Sequence, residues 1–308
     1  MPITRRIGKS GFLHICQKSV DNGILFYLLE DHLVFLTILS VKALAQGVIV
    51  VAIVLMFNHL HLGAFFHNVS NASRFMNGVT SVFARIYNRH YGLEGQLFKK
   101  PFKSTPKTNE KKIRDCLFYI WNNPVEKKAV KSAEEYRWNL LGYLGSDNPF
   151  SEPIKVEEAS AKLVKLMRKV KVKRDAGEYL AYDFFDDNYY SLTKQERLQL
   201  IDYILVTYNF IDNHKILDLF GSLQSIVVAA NAVTGNEYDI TDDNDAEDYR
   251  HYRSLISITR SEGVDLGSIR FNRSFFEGKE ELLGRLTKRF RTEAGASNYE
   301  ILKFLHLL

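Results

Sequence analysis

The sequence predicts an α+β fold, an antiparallel sheet with helices on one side, followed by an all-α C-terminal domain. Three observations predict it: short strand-length apolar stretches lie in the first half, helical spacing separates them, and beyond a turn-rich cluster at 144–153 only helical spacing remains. A length of 308 residues suits two domains, and 46% hydrophobic with 25% charged residues is the balance of a chain that buries real cores.

Phe12 to Gln17 alternates like a short strand, and Asp21-Asn22-Gly23 makes a turn. Ile24 to Gln46 then reads as an amphipathic helix. Gly47 to Met56 is rich in Val and Ile and reads as a central strand, with Asn58 to Phe66 as a second strand or hairpin return. Phe75, Val79, Val82, Phe83 and Ile86 give Ser73 to Tyr91 a helical face that Gly92 ends. Glu94 to Lys103 reads as a strand or loop, and Lys111 to Asn123 as a helix that Pro124 stops. This order of elements is that of a ferredoxin-like sheet.

The cluster Gly145, Ser146, Asp147, Asn148, Pro149 and Pro153 marks 144–155 as a linker between a domain at 1–143 and a helical one at 156–308. Helices are expected over Val156–Arg174, Thr193–Tyr208, Asn213–Val233, Asp242–Arg260, Gly278–Thr292 and from Asn298. Ser297 and Glu300 form a capping box for the last.

Charge divides the chain. Residues 1–150 carry 19 Lys+Arg against 10 Asp+Glu, whereas 151–308 carry 22 against 26. Most of the excess lies between Arg74 and Lys131, interleaved with Phe83, Tyr87, Tyr91, Phe98, Phe102, Phe118, Tyr119 and Trp121. Cations that neutralise phosphates beside rings that stack on bases suit single-stranded nucleic acid, although a solvated face has the same composition. The longest uncharged apolar run, Gly47 to Met56, is ten residues, against about 20 for a membrane span. Cys16 and Cys116 fit neither a ligand spacing nor a disulfide framework, and a cytoplasmic location is expected. The acidic run Asp239, Asp242, Asp243, Asp245, Glu247, Asp248 lacks the glycine and closing glutamate of a calcium loop.

Two groups of residues carry chemistry. On a strand, His59 and His61 point to one face, and paired neutral imidazoles hold divalent metals while leaving coordination positions open. Two histidines on a half-buried strand without a metal have the same spacing. Tyr119 and Asn123, four residues apart, project from one face of a helix. A tyrosine nucleophile beside a metal that polarises a phosphate is workable chemistry, but spacing does not single out Tyr119 among 16 tyrosines. His14, His32, His67 and His90 lack a partner at ligand spacing and read as structural.

Met56-Phe57-Asn58-His59-Leu60-His61-Leu62 resembles the Met-Pro-Asn-His-hydrophobic-His signature of single-tyrosine HUH transposases, the insertion sequence 200-like and REP-associated enzymes. Tyr87-Asn88, Gly95-Gln96-Leu97-Phe98 with Phe102-Lys103-Ser104, Tyr119-Ile120-Trp121-Asn122-Asn123-Pro124-Val125 and Tyr136-Arg137-Trp138 follow in that family's order. The chain departs from it at Phe57, where proline is usual, and at Pro101, where arginine is common. Over about residues 8–145 the resemblance implies the ferredoxin-like HUH fold, His59 and His61 as metal ligands, Tyr119 as nucleophile and Asn123 at the place of a third polar ligand.

It further implies a divalent metal, Mg²⁺ or Mn²⁺, and a single-stranded or hairpin DNA substrate cleaved through a 5′-phosphotyrosine and rejoined by a DNA 3′-hydroxyl. Arg85, Arg89, Lys99, Lys100, Lys103, Lys111, Lys112 and Arg114 are the candidates for DNA contacts. A homodimer is one assembly open to the chain, and no membrane partner is expected. Gly295-Ala296-Ser297 with the final helix is similar to the opening of a helix-turn-helix whose recognition helix would lie beyond Leu308. A domesticated DNA-binding or regulatory protein of the same fold, without turnover, stays open as the alternative.

Overall fold

Gly11–Lys18 (β1), Ile49–Leu55 (β2), His59–Phe66 (β3) and Lys103–Lys107 (β4) form one sheet in the spatial order β2-β3-β1-β4, with every neighbouring pair antiparallel. The structure, a computed structural model, describes residues 11–20, 23–127, 129–232, 250–264, 269, 275–305 and 307. Leu29–Ala45 (α1) connects β1 to β2, Val69–Tyr91 (α2) connects β3 to β4, and Glu110–Glu126 (α3) follows β4. The fold is α+β, as the sequence predicts.

The helices do not share one face of the sheet. Phe75 of α2 packs on Phe66, and Phe35 of α1 packs on Phe83 of α2, so these two helices cover the even-numbered side of β3. Leu117 and Ile120 of α3 lie against Gly63, on the odd-numbered side. Cover on both faces has a visible cause in the sequence: β2, Ile-Val-Val-Ala-Ile-Val-Leu, is apolar at every position and buried from Val50 to Leu55, the pattern of a strand covered on both faces. That run read as a central strand, yet β2 is an edge. Its outer side is shielded where the Asp212 amide donates to the Val50 carbonyl at 2.8 Å.

Local chemistry moves several boundaries. The segment 24–28 is not helical, because the amides of Leu25 and Phe26 both donate to the Phe57 carbonyl; α1 begins only where Asp31 accepts the Tyr27 and Leu28 amides. Residues 94–102 are a loop with a short bridge at Phe98, and the fourth strand comes later, at Lys103–Lys107; its Pro106 is tolerated because β4 is an edge. Asn68 and Asn109 cap α2 and α3 by accepting the amides of Asn71 and Lys112. Pro124 does not stop α3, which continues through it to Glu126.

Beyond α3 the described elements are helices and short 3₁₀ turns: Ala161–Asp175 (α4), Asp187–Tyr190 (α5), Lys194–Thr207 (α6), Asn213–Phe220 (α7), Leu223–Ala232 (α8), Arg250–Ser261 (α9), Glu280–Thr292 (α10) and Asn298–Phe304 (α11). The helix expected over Asn213–Val233 is broken at Gly221, whose φ of 79° lies outside helical space. By contacts the chain forms two compact units, Met1–Asp239 and Ile240–Leu308, so the expected linker at 144–155 falls within the first. In the second unit Glu262 accepts from Arg285 and Arg289, and the expected capping box is formed, Ser297 and Glu300 bonding each other's amides. The acidic run 239–248 and the start of the helix expected from Asp242 lie outside the described residues. No helix among the described residues is long and apolar enough to cross a membrane.

Candidate active site

The odd-numbered face of β3 presents His59, His61 and Gly63 in sequence, and β1 lies beside it in a register that sets Cys16 opposite His61 and His14 opposite Gly63. His14 and His61 are therefore diagonal neighbours across two strands. Their rings meet edge to edge, with centroids 5.1 Å apart and planes 25° from parallel, and His14 Nε2 lies 3.0 Å from His61 Nδ1. The His59 and His61 rings are 5.1 Å apart at 85°. His59 Nδ1 donates to the Asn58 side-chain carbonyl oxygen at 2.7 Å, which places the neutral ring's lone pair on Nε2.

Tyr119 closes the group from α3. Its ring meets that of His61 at 5.2 Å and that of His14 at 5.7 Å, both edge-on. Gly63 makes the approach feasible: a Cβ there would stand 2.9 Å from Phe12 Cζ, 3.1 Å from Leu117 Cδ2 and 3.2 Å from Ile120 Cδ1. The absence of a side chain thus lets α3 lie close on β3. Asn123 follows one turn after Tyr119, fully buried, and neither its amide nitrogen nor its oxygen has a hydrogen-bond partner in the protein. A buried orphan amide costs about 1–3 kcal/mol, so this is a position that a ligand or water repays. One turn before Tyr119, burial pushes the Cys116 thiol up to about 12, so it stays protonated at neutral pH and does not compete as a nucleophile.

The donor set fits a divalent metal of open coordination. Among the described residues no three His, Cys, Asp or Glu side chains are placed to hold one. A metal here would rest on His59 and His61, with the Asn123 carboxamide as an oxygen donor of the kind Mg²⁺ and Mn²⁺ accept. These side chains are buried: Tyr119 is 4% exposed, His59 1% and His61 0%.

The eight candidate DNA contacts separate into three places. Lys103 pairs with Cys16, in the same row across the sheet as His61, and Lys99 is tied by its backbone to Gln17 and Lys18 next to it. Lys100 adjoins them in the loop. Lys111, Lys112 and Arg114 stand at the start of α3, beyond the far end of β4 from Lys103 and about two turns before Tyr119, with Arg114 bridging Glu110 at 3.5 Å. Arg85 and Arg89 lie on α2, across the sheet from Tyr119, where they line a cleft of about 620 Å³ with His90, Tyr179 and Tyr182. The family-like Tyr136-Arg137-Trp138 segment is structural: the Tyr136 hydroxyl donates to the Leu55 carbonyl, and Trp138 stacks on His32 at 4.1 Å.

Sequence reasoning read His14 as structural, without its contact to His61, and gave Asn58 no role. His14 is 47 residues from His61, and the periodicity of a single strand carries no information about its neighbour; only the pairing of β1 with β3 brings the two together.

No family model matches the chain, and no curated protein matches it. Among solved structures, one of a REP-associated tyrosine transposase bound to a REP hairpin is similar at 17% identity and a TM-score of 0.39, over 52% of this chain and 96% of that one.

Proposed function

We propose that the chain is a metal-dependent tyrosine transposase that cleaves and rejoins single-stranded DNA hairpin ends on a ferredoxin-like HUH domain. One observation carries the reading: Tyr119, from α3, lies against His61 in a buried group whose His59 Nδ1 is engaged by Asn58, one helical turn from an amide with no protein partner. The sheet order β2-β3-β1-β4 and the resemblance of the 56–62 and 119–125 segments support it.

In this reading His59, His61 and Asn123 hold Mg²⁺ or Mn²⁺. When bound, the ion withdraws charge from a phosphate oxygen and orients the diester. The Tyr119 hydroxyl attacks phosphorus in line and its proton passes to water; the bond from phosphorus to the DNA 3′-oxygen breaks, that oxygen takes a proton from water to end as a 3′-hydroxyl, and a 5′-phosphotyrosine remains. A second DNA 3′-hydroxyl reverses the linkage, so strands exchange without net hydrolysis. Lys99 and Lys103 neutralise the backbone beside the reacting phosphate, and the basic start of α3 would meet DNA further along the strand.

Burial of Tyr119 favours a second reading, a DNA-binding protein of the same fold that no longer turns over. Labelled hairpin DNA incubated with the protein and Mn²⁺ separates the two. The first reading expects a covalent adduct on a denaturing gel that Tyr119→Phe abolishes; no adduct with the unaltered chain, at DNA concentrations that saturate binding, supports the second.

A further inference from the structure

The proposed metal site depends on which nitrogen of each imidazole carries the proton. For His61 the structure names the group that decides it. A neutral imidazole offers a lone pair at Nε2 only when Nδ1 is protonated. His61 Nδ1 lies 3.0 Å from His14 Nε2, and one hydrogen lies between them. If His14 donates it, His61 must carry its own proton on Nε2 and is lost as an Nε2 ligand. If His61 donates it, Nε2 is left with the lone pair. The same arrangement occurs at His59, where the partner is a carbonyl oxygen that can only accept. His14 is itself 3% exposed and held by β1, and its ring also meets Tyr119 edge-on at 5.7 Å. Its Nε2 is engaged by His61 Nδ1, and no three-residue His, Cys, Asp or Glu metal group exists among the described residues, so His14 supports a ligand instead of being a third one.

We propose that His14 is a positioning residue of the metal site: it accepts the Nδ1–H of His61, fixing the tautomer and ring orientation that present Nε2 to the ion. The inference rests on the metal reading above. Partners of this kind are worth roughly 10–100-fold in metal affinity. Glutamine at this position keeps an acceptor near the place of Nε2, whereas leucine removes it.

Mn²⁺ binding, read by the electron paramagnetic resonance of the free ion and without DNA, tests the proposal on the unaltered chain, His14→Gln and His14→Leu. The expected result is binding by the unaltered chain, affinity within about threefold for His14→Gln, and a loss of roughly 10–100-fold for His14→Leu. Undiminished affinity in His14→Leu overturns the role of His14 alone, and His14→Gln as weak as His14→Leu overturns the hydrogen-bond account. An unaltered chain that binds no Mn²⁺ overturns the metal reading and this inference with it. Should His14→Leu not fold, ¹⁵N shifts of the His61 ring in the unaltered, metal-free chain decide: Nδ1–H is expected, and Nε2–H overturns the proposal.

Discussion

At the scale of single residues, Asn123 makes the sharpest statement. Its amide has neither partner satisfied, so an apolar side chain of similar shape removes a desolvation cost of about 1–3 kcal/mol. Asn123→Leu is therefore expected to unfold at equal or higher urea concentration while binding Mn²⁺ more weakly; a clear loss of stability would show that the amide is already satisfied. The cations divide the same way. Lys99 and Lys103 adjoin the site and Arg85 and Arg89 do not, so Lys103→Ala is expected to lower the salt dependence of hairpin binding by roughly one counterion, and Arg89→Ala to leave it unchanged. Titrations at several salt concentrations check both. His59 and His61 were legible because a strand's period of two is local information. His14 was not, because its place beside His61 belongs to the β1–β3 register.

At the scale of elements, the site is the contact of α3 with β3, and Gly63 sets its closeness. Gly63→Ala forces Phe12, Leu117 or Ile120 aside in a filled core, a cost of about 1–3 kcal/mol, and moves α3 away from β3. The expected outcome is a lower melting temperature together with a smaller yield of covalent adduct. Unchanged stability would show that the helix has room to spare. Strands β1 to β3 were legible from apolar patterning. The fourth was placed too early, because Lys-Ser-Thr-Pro-Lys has no apolar residue and is a strand only through its pairing with β1. The break between α7 and α8 hung on Gly221, a single residue inside an otherwise helical pattern. The face that α3 takes was partly readable after all, since an all-apolar β2 already calls for cover on both sides.

Over the whole molecule, helices α4 to α8 help to complete the unit that contains the sheet. The Tyr182 and Tyr190 hydroxyls donate to Asp31 and Glu30 of α1, the Leu180 amide donates to Thr37, and Phe220 packs on Phe118 and Trp121 of α3. Asp202 of α6, fully buried, accepts from Arg137, Tyr143, Ser151 and the Phe150 amide. A turn-rich sequence at 144–155 suggested a boundary because glycine and proline mark turns, and a turn inside a unit has the same composition as a linker. A fragment ending at residue 155 is accordingly expected to bind a hydrophobic dye and melt without cooperativity, whereas 1–239 melts cooperatively. Asp202→Ala, which strands the Arg137 guanidinium, is expected to destabilise the chain by about 3–5 kcal/mol in urea unfolding.

In the function proposed here, Tyr119 takes the 5′ side of a cleaved strand. Peptide mass spectrometry of the adduct formed with hairpin DNA and Mn²⁺ tests it most directly, since it reads both the residue and the end of the DNA. The expected product is a peptide containing Tyr119 that carries a 5′-phosphorylated nucleotide. DNA attached to any other residue, or through its 3′ end, would contradict it.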